Sequence, residues 1–225
     1  MMYNKYNWRF NKDIVNIFDS HIRKSIPMYE EFQKNIADMS VYFTQKDSNI
    51  VDIGTSTGNL ISKLKEINNN RNLTFNGLDI ENDMIEYCIE HFKDINFKLC
   101  DALDYDYTNT SVITSMLSLQ FMNKSDRIVL LEKIYNEMCV DGALFIVEKV
   151  KNDIIDLHDI YNDIYYDFKR ENLSDSEILD KNMSIRGISK PLSLDDNIKM
   201  LKDAGFKKID IFLKSMNFVG IIAIK

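Results

Sequence analysis

The segment Asn49–Leu60, NIVDIGTSTGNL, contains Gly54-Thr55-Ser56-Thr57-Gly58. The spacing G-x-S-x-G is that of a strained elbow that presents a nucleophilic serine. The same residues also read as a glycine-bracketed turn from a buried strand into a helix, where nucleotide-like cofactors dock. A serine nucleophile needs an acid and then a histidine downstream, with an oxyanion loop upstream. Only His91 and His158 follow Ser56, the first on the polar side of a helix end and the second in a distant helical segment. No HGGG-like stretch precedes Ser56, and the turn follows the first strand of the α/β unit rather than a late one. The cofactor reading is therefore preferred.

That reading requires an acid about 20 residues on, at the tip of the next strand, to accept from ribose hydroxyls. Asp79, ending FNGLD, stands there, and Asp101, ending KLCD, can receive an exocyclic amine. Asp52 can meet a cofactor amino group through backbone or water, or can cap a helix or turn. Capping is also open to Asp79 and Asp101 taken singly; three strand tips pointing at one crevice favour a site. The turn is Gly-x-x-x-Gly, closed by Gly58, and lacks the middle glycine of the G-x-G-x-x-G that brings bare backbone onto a pyrophosphate.

The elements that must position these residues follow from periodicity. Residues 11–45 read as helix, broken at SIPMY by Pro27. NIVDIG is a buried strand, and NLISKLKEI puts Leu60, Ile61, Leu64 and Ile67 on one helical face. LTFNGLDI, INFKLCD, SVITSMLSL and ALFIVEKV read as further strands. MIEYCIEHF is a helix with Ile85, Cys88, Ile89 and Phe92 as its stripe, and KSDRIVLLEKIYNEMC is a helix stopped by Asp141-Gly142. This alternation implies right-handed βαβ units and a parallel sheet. One or two helices over 153–182 and another near 193–204 interrupt it. KKIDIFLKSM and FVGIIAIK are then joined too closely for a parallel crossover, so they form a hairpin. The expectation is one α/β domain over 1–225, with an N-terminal helical cap at 1–46 and a helical insertion at 151–205. Its sheet has five parallel strands plus a C-terminal antiparallel hairpin.

Composition sets the outer bounds. The 225 residues carry a net charge of −7, which disfavours extended nucleic-acid binding through a broad basic face. Cys88, Cys100 and Cys139 are scattered and form no C-x-x-C pair, so neither a disulfide framework nor a metal site is expected, and reduced thiols suit the cytoplasm. MMYNKYNWRF has no apolar h-region, and no run reaches the length of a membrane span.

The sheet pattern, Rossmann-like with a final hairpin, resembles the class I methyltransferases that use S-adenosylmethionine (SAM). SAM has no phosphate, so looser glycine spacing suffices. Within that superfamily, WRF at 8–10, HIRKSIPMY at 21–29, LSLQFM at 117–122, EKIYNEM, GALFIVEK, YYDFKRENLSDSEILDK at 165–181 and NFVGIIAIK are similar to the carboxy-SAM synthases, in order along nearly the whole chain. The resemblance implies conversion of the SAM methyl to a carboxymethyl group with prephenate as carboxyl source, for modification of a tRNA wobble uridine. It implies that Tyr29 contacts the cofactor, Gly54, Thr55 and Ser56 line its methionyl part, Asp79 and Ile80 face the ribose, and Asp101 and Ala102 face the adenine. It also implies a homodimer in which the insertion helices contribute to the partner's site.

Two positions depart from that family. Met116 stands where it has an asparagine, and Asn182 where it has an arginine directly after Lys181. In the family these groups hold the carboxymethyl carboxylate or its donor. A carboxylate in a closed pocket favours a bidentate guanidinium, and losing one side of such a pair costs roughly 2–5 kcal/mol. Arg186, one helical turn beyond Asn182, is a candidate replacement, as are Lys169, Arg170 and Lys181 unless they form a solvated helix face. Because both departures fall on carboxylate positions, the leading expectation is a SAM-dependent methyltransferase acting on a small-molecule acceptor and releasing S-adenosylhomocysteine (SAH). The alternatives are the carboxy-SAM synthase reaction and a catalytically inactive SAM-binding dimer. Candidate catalytic residues are Tyr29, His158, Tyr166 and Arg186. In HDIYNDIYYDF, Tyr161, Tyr165 and Phe168 fit the buried stripe of a helix.

Overall fold

Ile50, Val51 and Ile53 are β-branched and buried, and they alternate between two apolar clusters, Ile50 in one and Val51 and Ile53 in the other. Asn49–Ile53 (β1) is therefore a strand covered on both faces. The computed structural model describes residues 12–69 and 72–225; the WRF stretch lies outside them, as does the start of the expected N-terminal cap.

Helices Lys12–Ser25 (α1) and Tyr29–Ser40 (α2) precede β1, separated at Pro27 as expected. There follow Asn59–Ile67 (α3), Thr74–Asp79 (β2), Asn82–His91 (α4), Asn96–Leu99 (β3), Thr110–Met116 (β4), Lys124–Glu137 (α5) and Ala143–Lys149 (β5). The insertion contains Ile155–Arg170 (α6) and Asp175–Ser184 (α7), followed by Leu194–Ala204 (α8). Lys208–Ser215 (β6) and Phe218–Ile224 (β7) close the chain as a hairpin.

The seven strands run in the order β3-β2-β1-β4-β5-β7-β6. The first five are mutually parallel; β7 is antiparallel to β5 and to β6, so β6 again points with the first five. The strand order reverses between β1 and β4, the topological switch point where open α/β sheets bind ligands at their carboxyl ends.

Three helix faces differ from their periodic reading. In α4 the buried residues are Met84, Ile85 and Cys88, while Ile89 is 51% exposed. Met84 sits beneath the glycine loop, its Sδ 3.8 Å from Ser56 Oγ, and this turns the helix by one position. In α3, Ile67 is exposed past the Leu60, Ile61 and Leu64 stripe. In α6 the buried pair is Tyr165 and Lys169, with Tyr161 and Phe168 only half-buried.

Arg127 of α5 is fully buried, and its guanidinium donates to Met122 O at 3.0 Å and Lys190 O at 2.6 Å. It ties the turn after β4 to the segment after α7. Among the described residues, no helix is long and apolar enough to cross a membrane.

Candidate functional site

A cavity of about 570 Å³ opens over the carboxyl ends of β1, β2 and β4, within the roughly 300–1,000 Å³ range of ligand pockets. Its floor is the glycine loop. Gly54 has φ +69°, and a Cβ there would stand 2.0 Å from Ser118 Oγ, so both backbone and space demand glycine. Thr55 N donates to Leu78 O at 2.8 Å, and Ser56 N donates to Asp79 Oδ2 at 2.9 Å, so the tip of β2 holds the loop. Thr57 Oγ1 donates to Asp19 Oδ1 at 2.6 Å, fixing α1 over the same turn, and Gly58, with φ +77°, opens α3. Ser56 (φ +52°) and Leu117 (φ +59°) both line the cavity in a conformation that costs non-glycine residues energy.

Ser56 is not a nucleophile. Its hydroxyl faces the Met84 sulfur. His91 is exposed, stacked on Tyr87 with Nδ1 2.8 Å from Tyr87 O. His158 Nδ1 accepts from Asn152 N at 3.4 Å at the start of α6. Neither histidine lines the cavity.

Five acids line it, Asp52, Asp79 and Asp101 from the strand tips with Glu81 and Asp126 beside them. Asp52 is 2% exposed and accepts from Thr114 Oγ1 at 2.6 Å; the carboxylate thus lies against β4 and caps neither a helix nor a turn. Burial pushes it up to about 7, with the Thr114 hydrogen bond opposing the shift. Asp79 accepts from Ser56 N and, through Oδ1, from Glu81 N at 3.0 Å. It therefore both braces the turn into α4 and faces the cavity, and burial raises it despite those amides. Asp101 Oδ1 accepts from Leu103 N at 2.9 Å. Ile80, 68% exposed, stands at the rim with Ala102, and Tyr29 and Met116 also line the wall. Burial raises the Tyr29 hydroxyl, keeping it protonated.

The other end of the cavity is basic. His21 of α1, Lys149 at the tip of β5, Lys169 of α6 and Lys181 of α7 all line it. Lys169 Nζ lies 4.3 Å from the Tyr165 ring centre and Lys149 Nζ lies 4.7 Å from the same ring. Burial lowers Lys169 to about 8 and Lys181 to about 6, with repulsion from Lys149 adding to the first and from Lys169 to the second. Lys149 is lowered by burial alone, and His21 by burial and then by Lys181 and Lys169.

The expected residues thus divide. Tyr29, Asp52, Gly54, Thr55, Ser56, Asp79, Ile80, Asp101, Ala102, Met116 and Asn182 meet in one cavity, while Gly58 supports its floor from beneath. His158, Tyr166 and Arg186 do not line it. Arg186 is exposed because α7 stops at Ser184, so the helical turn that would align it with Asn182 is not formed. Tyr166 acts from behind, its hydroxyl accepting from Asn182 Nδ2 at 3.0 Å, while Tyr165 takes the wall. Arg170 pairs with Asp167 and Asp175 on the surface. Sequence reasoning missed His21, Lys149, Ser118 and Gln120. Gln120 is buried, lines the cavity, and among the described residues its Oε1 has no hydrogen-bond partner. The signal for Lys149 was its place at the carboxyl tip of a strand. Chemically, the acid end suits a cation and hydroxyls, and the basic end suits an anion. Among the described residues no group of three or more His, Cys, Asp or Glu is placed to hold a metal ion.

Residues 44–177 match a family described as a methyltransferase domain. The chain is 41% identical over its full length to the full-length carboxy-S-adenosyl-L-methionine synthase of Staphylococcus epidermidis. It is 33% identical to the enzyme of that name from Sulfurimonas denitrificans, over 98% of this chain and 96% of the relative. Among solved structures it resembles the plantazolicin methyltransferase BpumL, determined with a desmethyl substrate analogue and SAH, at a TM-score of 0.67 and 14% identity over 95% of this chain and 91% of that one.

Proposed function

Because the chain belongs to the carboxy-SAM synthases, within the class I SAM-dependent methyltransferases, we propose that this SAM-using transferase makes carboxy-SAM from SAM and prephenate, a product destined for tRNA wobble-uridine modification. The observation that carries the proposal is the continuity of one cavity from the glycine loop to a basic end. A methyl donor alone has no use for that end; a carboxylate-bearing second substrate does.

In this reading the methionyl part of SAM lies on Gly54, Thr55 and Ser56, and its ammonium is met by Asp52, whose raised proton affinity marks a buried acid suited to a cation. Asp79 and Ile80 face the ribose, with Asp79 accepting from its hydroxyls, while Ala102 packs on the adenine and Asp101 receives its amine. Bound SAM supplies a methyl activated by the sulfonium, and the reaction exchanges one methyl proton for the CO2 that prephenate releases on becoming aromatic, the proton leaving as water with the prephenate hydroxyl. Tyr29 and Tyr165, both buried, wall the reacting region from water. Ile154, Ile155, Ile160, Ile164 and Leu179 are exposed on and around α6 and α7. Apolar exposure of that kind fits the face of a cytoplasmic homodimer.

Incubation with SAM and prephenate, followed by mass analysis of the nucleoside, tests the reaction. A gain of one CO2 on SAM is expected. SAH formed in the presence of a metabolite acceptor, with no carboxylated product, would instead establish methyl transfer to a small molecule, the reading favoured by the neutral side chains of Met116 and Asn182. SAM bound but never altered would make the chain an inactive scaffold.

A further inference from the structure

The resemblance leads one to expect an arginine where this chain has Asn182, and among the described residues no guanidinium lines the cavity in its place. Arg186 and Arg170 are both on the surface. Asn182 is anchored to Tyr166 through Nδ2. What surrounds this end of the cavity comes from five elements. They are His21 and the exposed Lys24 of α1, Tyr29 of α2, Lys149 of β5, Tyr165, Tyr166 and Lys169 of α6, and Lys181 of α7. Among the described residues, Glu177, an exposed carboxylate committed to the capping box with Ser174, acts on His21, while Asp19, Glu30 and Asp52 act on Tyr29. We propose that His21, Lys149, Lys169 and Lys181, which line one end of the cavity, together form the subsite for the carboxylate of the second substrate, in place of a fixed guanidinium.

This inference rests on the reading of an anionic second substrate. Its physical basis is the difference between the two cations. An arginine stays charged at any working pH, whereas a crowded, buried lysine does not. Burial and the neighbouring lysines lower Lys181 to about 6 and Lys169 to about 8. A carboxylate placed among them favours their charged forms and raises both values. Binding therefore takes up protons, and affinity falls as pH rises through this window. The carboxylates of prephenate stay ionised throughout it, so the protons counted belong to the protein.

Calorimetric titration of the SAH-loaded protein with prephenate, at pH 6, 7 and 8 and in phosphate and Tris, reads both affinity and proton uptake. The expected result is uptake approaching about one proton and an affinity that drops by up to about ten-fold per pH unit. Lys169→Met and Lys181→Met keep side-chain volume in the wall, and each is expected to weaken prephenate binding at pH 7 by roughly 30-fold or more. Retained melting behaviour and SAH affinity confirm that each variant is folded. Asn182→Arg restores a charge that does not titrate, so binding should tighten and lose most of its pH dependence. Unchanged affinity in both lysine variants, or no net proton uptake in the parent, overturns the inference while leaving the carboxy-SAM reading in place. Failure of the parent to bind prephenate at any of these pH values removes that reading and the inference with it.

Discussion

Asp52→Asn separates what the buried acid costs the fold from what it gives the ligand. Burial raises this carboxyl from 3.8 to about 7, a shift of about 3 units at roughly 1.4 kcal/mol each, or about 4 kcal/mol. The sign is fixed by linkage. A group whose folded value is raised contributes fully below its unfolded value and loses that contribution as pH rises through the folded one. At pH 8 the empty protein therefore carries an ionised, buried Asp52 at a cost of about 4 kcal/mol, and at pH 4 it carries almost none. Asparagine keeps the acceptor for Thr114 Oγ1, and its amide can turn toward Thr55 Oγ1, the other hydroxyl that lowers Asp52. Urea denaturation of the ligand-free protein should find the variant more stable by about 2–4 kcal/mol at pH 8, with the difference vanishing toward pH 4. Isothermal titration should find the opposite for SAM at pH 8, a loss of about 30-fold or more, because the ammonium has lost its charged partner. In the parent, SAM affinity should rise with pH up to about 7, since the cation favours the ionised acid. A variant less stable than the parent at pH 8, or a stability difference that ignores pH, would refute the buried-charge argument. Unchanged SAM affinity would remove Asp52 from the site.

Gly54→Ala must accept φ +69° and a Cβ 2.0 Å from Ser118 Oγ; these cost about 1–2 kcal/mol and about 1–3 kcal/mol. SAH affinity and melting temperature should both fall, and Ser118→Gly in the same chain should recover the steric part only, as a double-mutant cycle will read. Ile164→Lys places a charge on the exposed apolar face of α6 and should convert a dimer to monomer in sedimentation; a parent already monomeric would refute the homodimer. Arg127→Met loses the donations to Met122 O and Lys190 O and should cost about 2–3 kcal/mol in denaturant unfolding. That loss should grow above pH 8, where Glu148, held up to about 8 by burial and opposed by Arg127, ionises.

The acid end of the cavity was readable from sequence because its residues sit where strands end. A short apolar run closing on Gly54, Asp79 or Asp101 marks both the element and the tip, and parallel strands bring their tips together without further information. The basic end was not readable in this way. Lys169 lies between half-buried Phe168 and exposed Arg170, and helical periodicity marks a lysine as solvated by default. Only the packing of α6 against β5 and β7, with Tyr165 edge-on to Phe218, shows that Lys169 faces inward with Tyr165. Arg186 failed for the converse reason: its reach required a helix that continued past Ser184, and the chain instead turns at Gly187 with φ +76°. His21 comes from a helix far upstream, held over the loop by a Thr57–Asp19 hydrogen bond that no local pattern announces.

The two ends of the cavity pose an electrostatic problem that the lysines themselves resolve. In the proposed reaction SAM brings a sulfonium, and two unit charges of like sign oppose each other by roughly 3 kcal/mol at about 6 Å and an effective dielectric constant near 20. A permanent guanidinium at position 182 would add to that opposition whether or not an anion was present. Burial and crowding instead lower Lys181 to about 6 and Lys169 to about 8, so near neutral pH they oppose a bound sulfonium less than a guanidinium would. Under the proposed reaction, a carboxylate beside the lysines draws protons onto them, so cation, anion and bases balance with both substrates bound. Asn182 thus exchanges a fixed charge for an inducible one, and the cost of that exchange is an affinity that depends on pH.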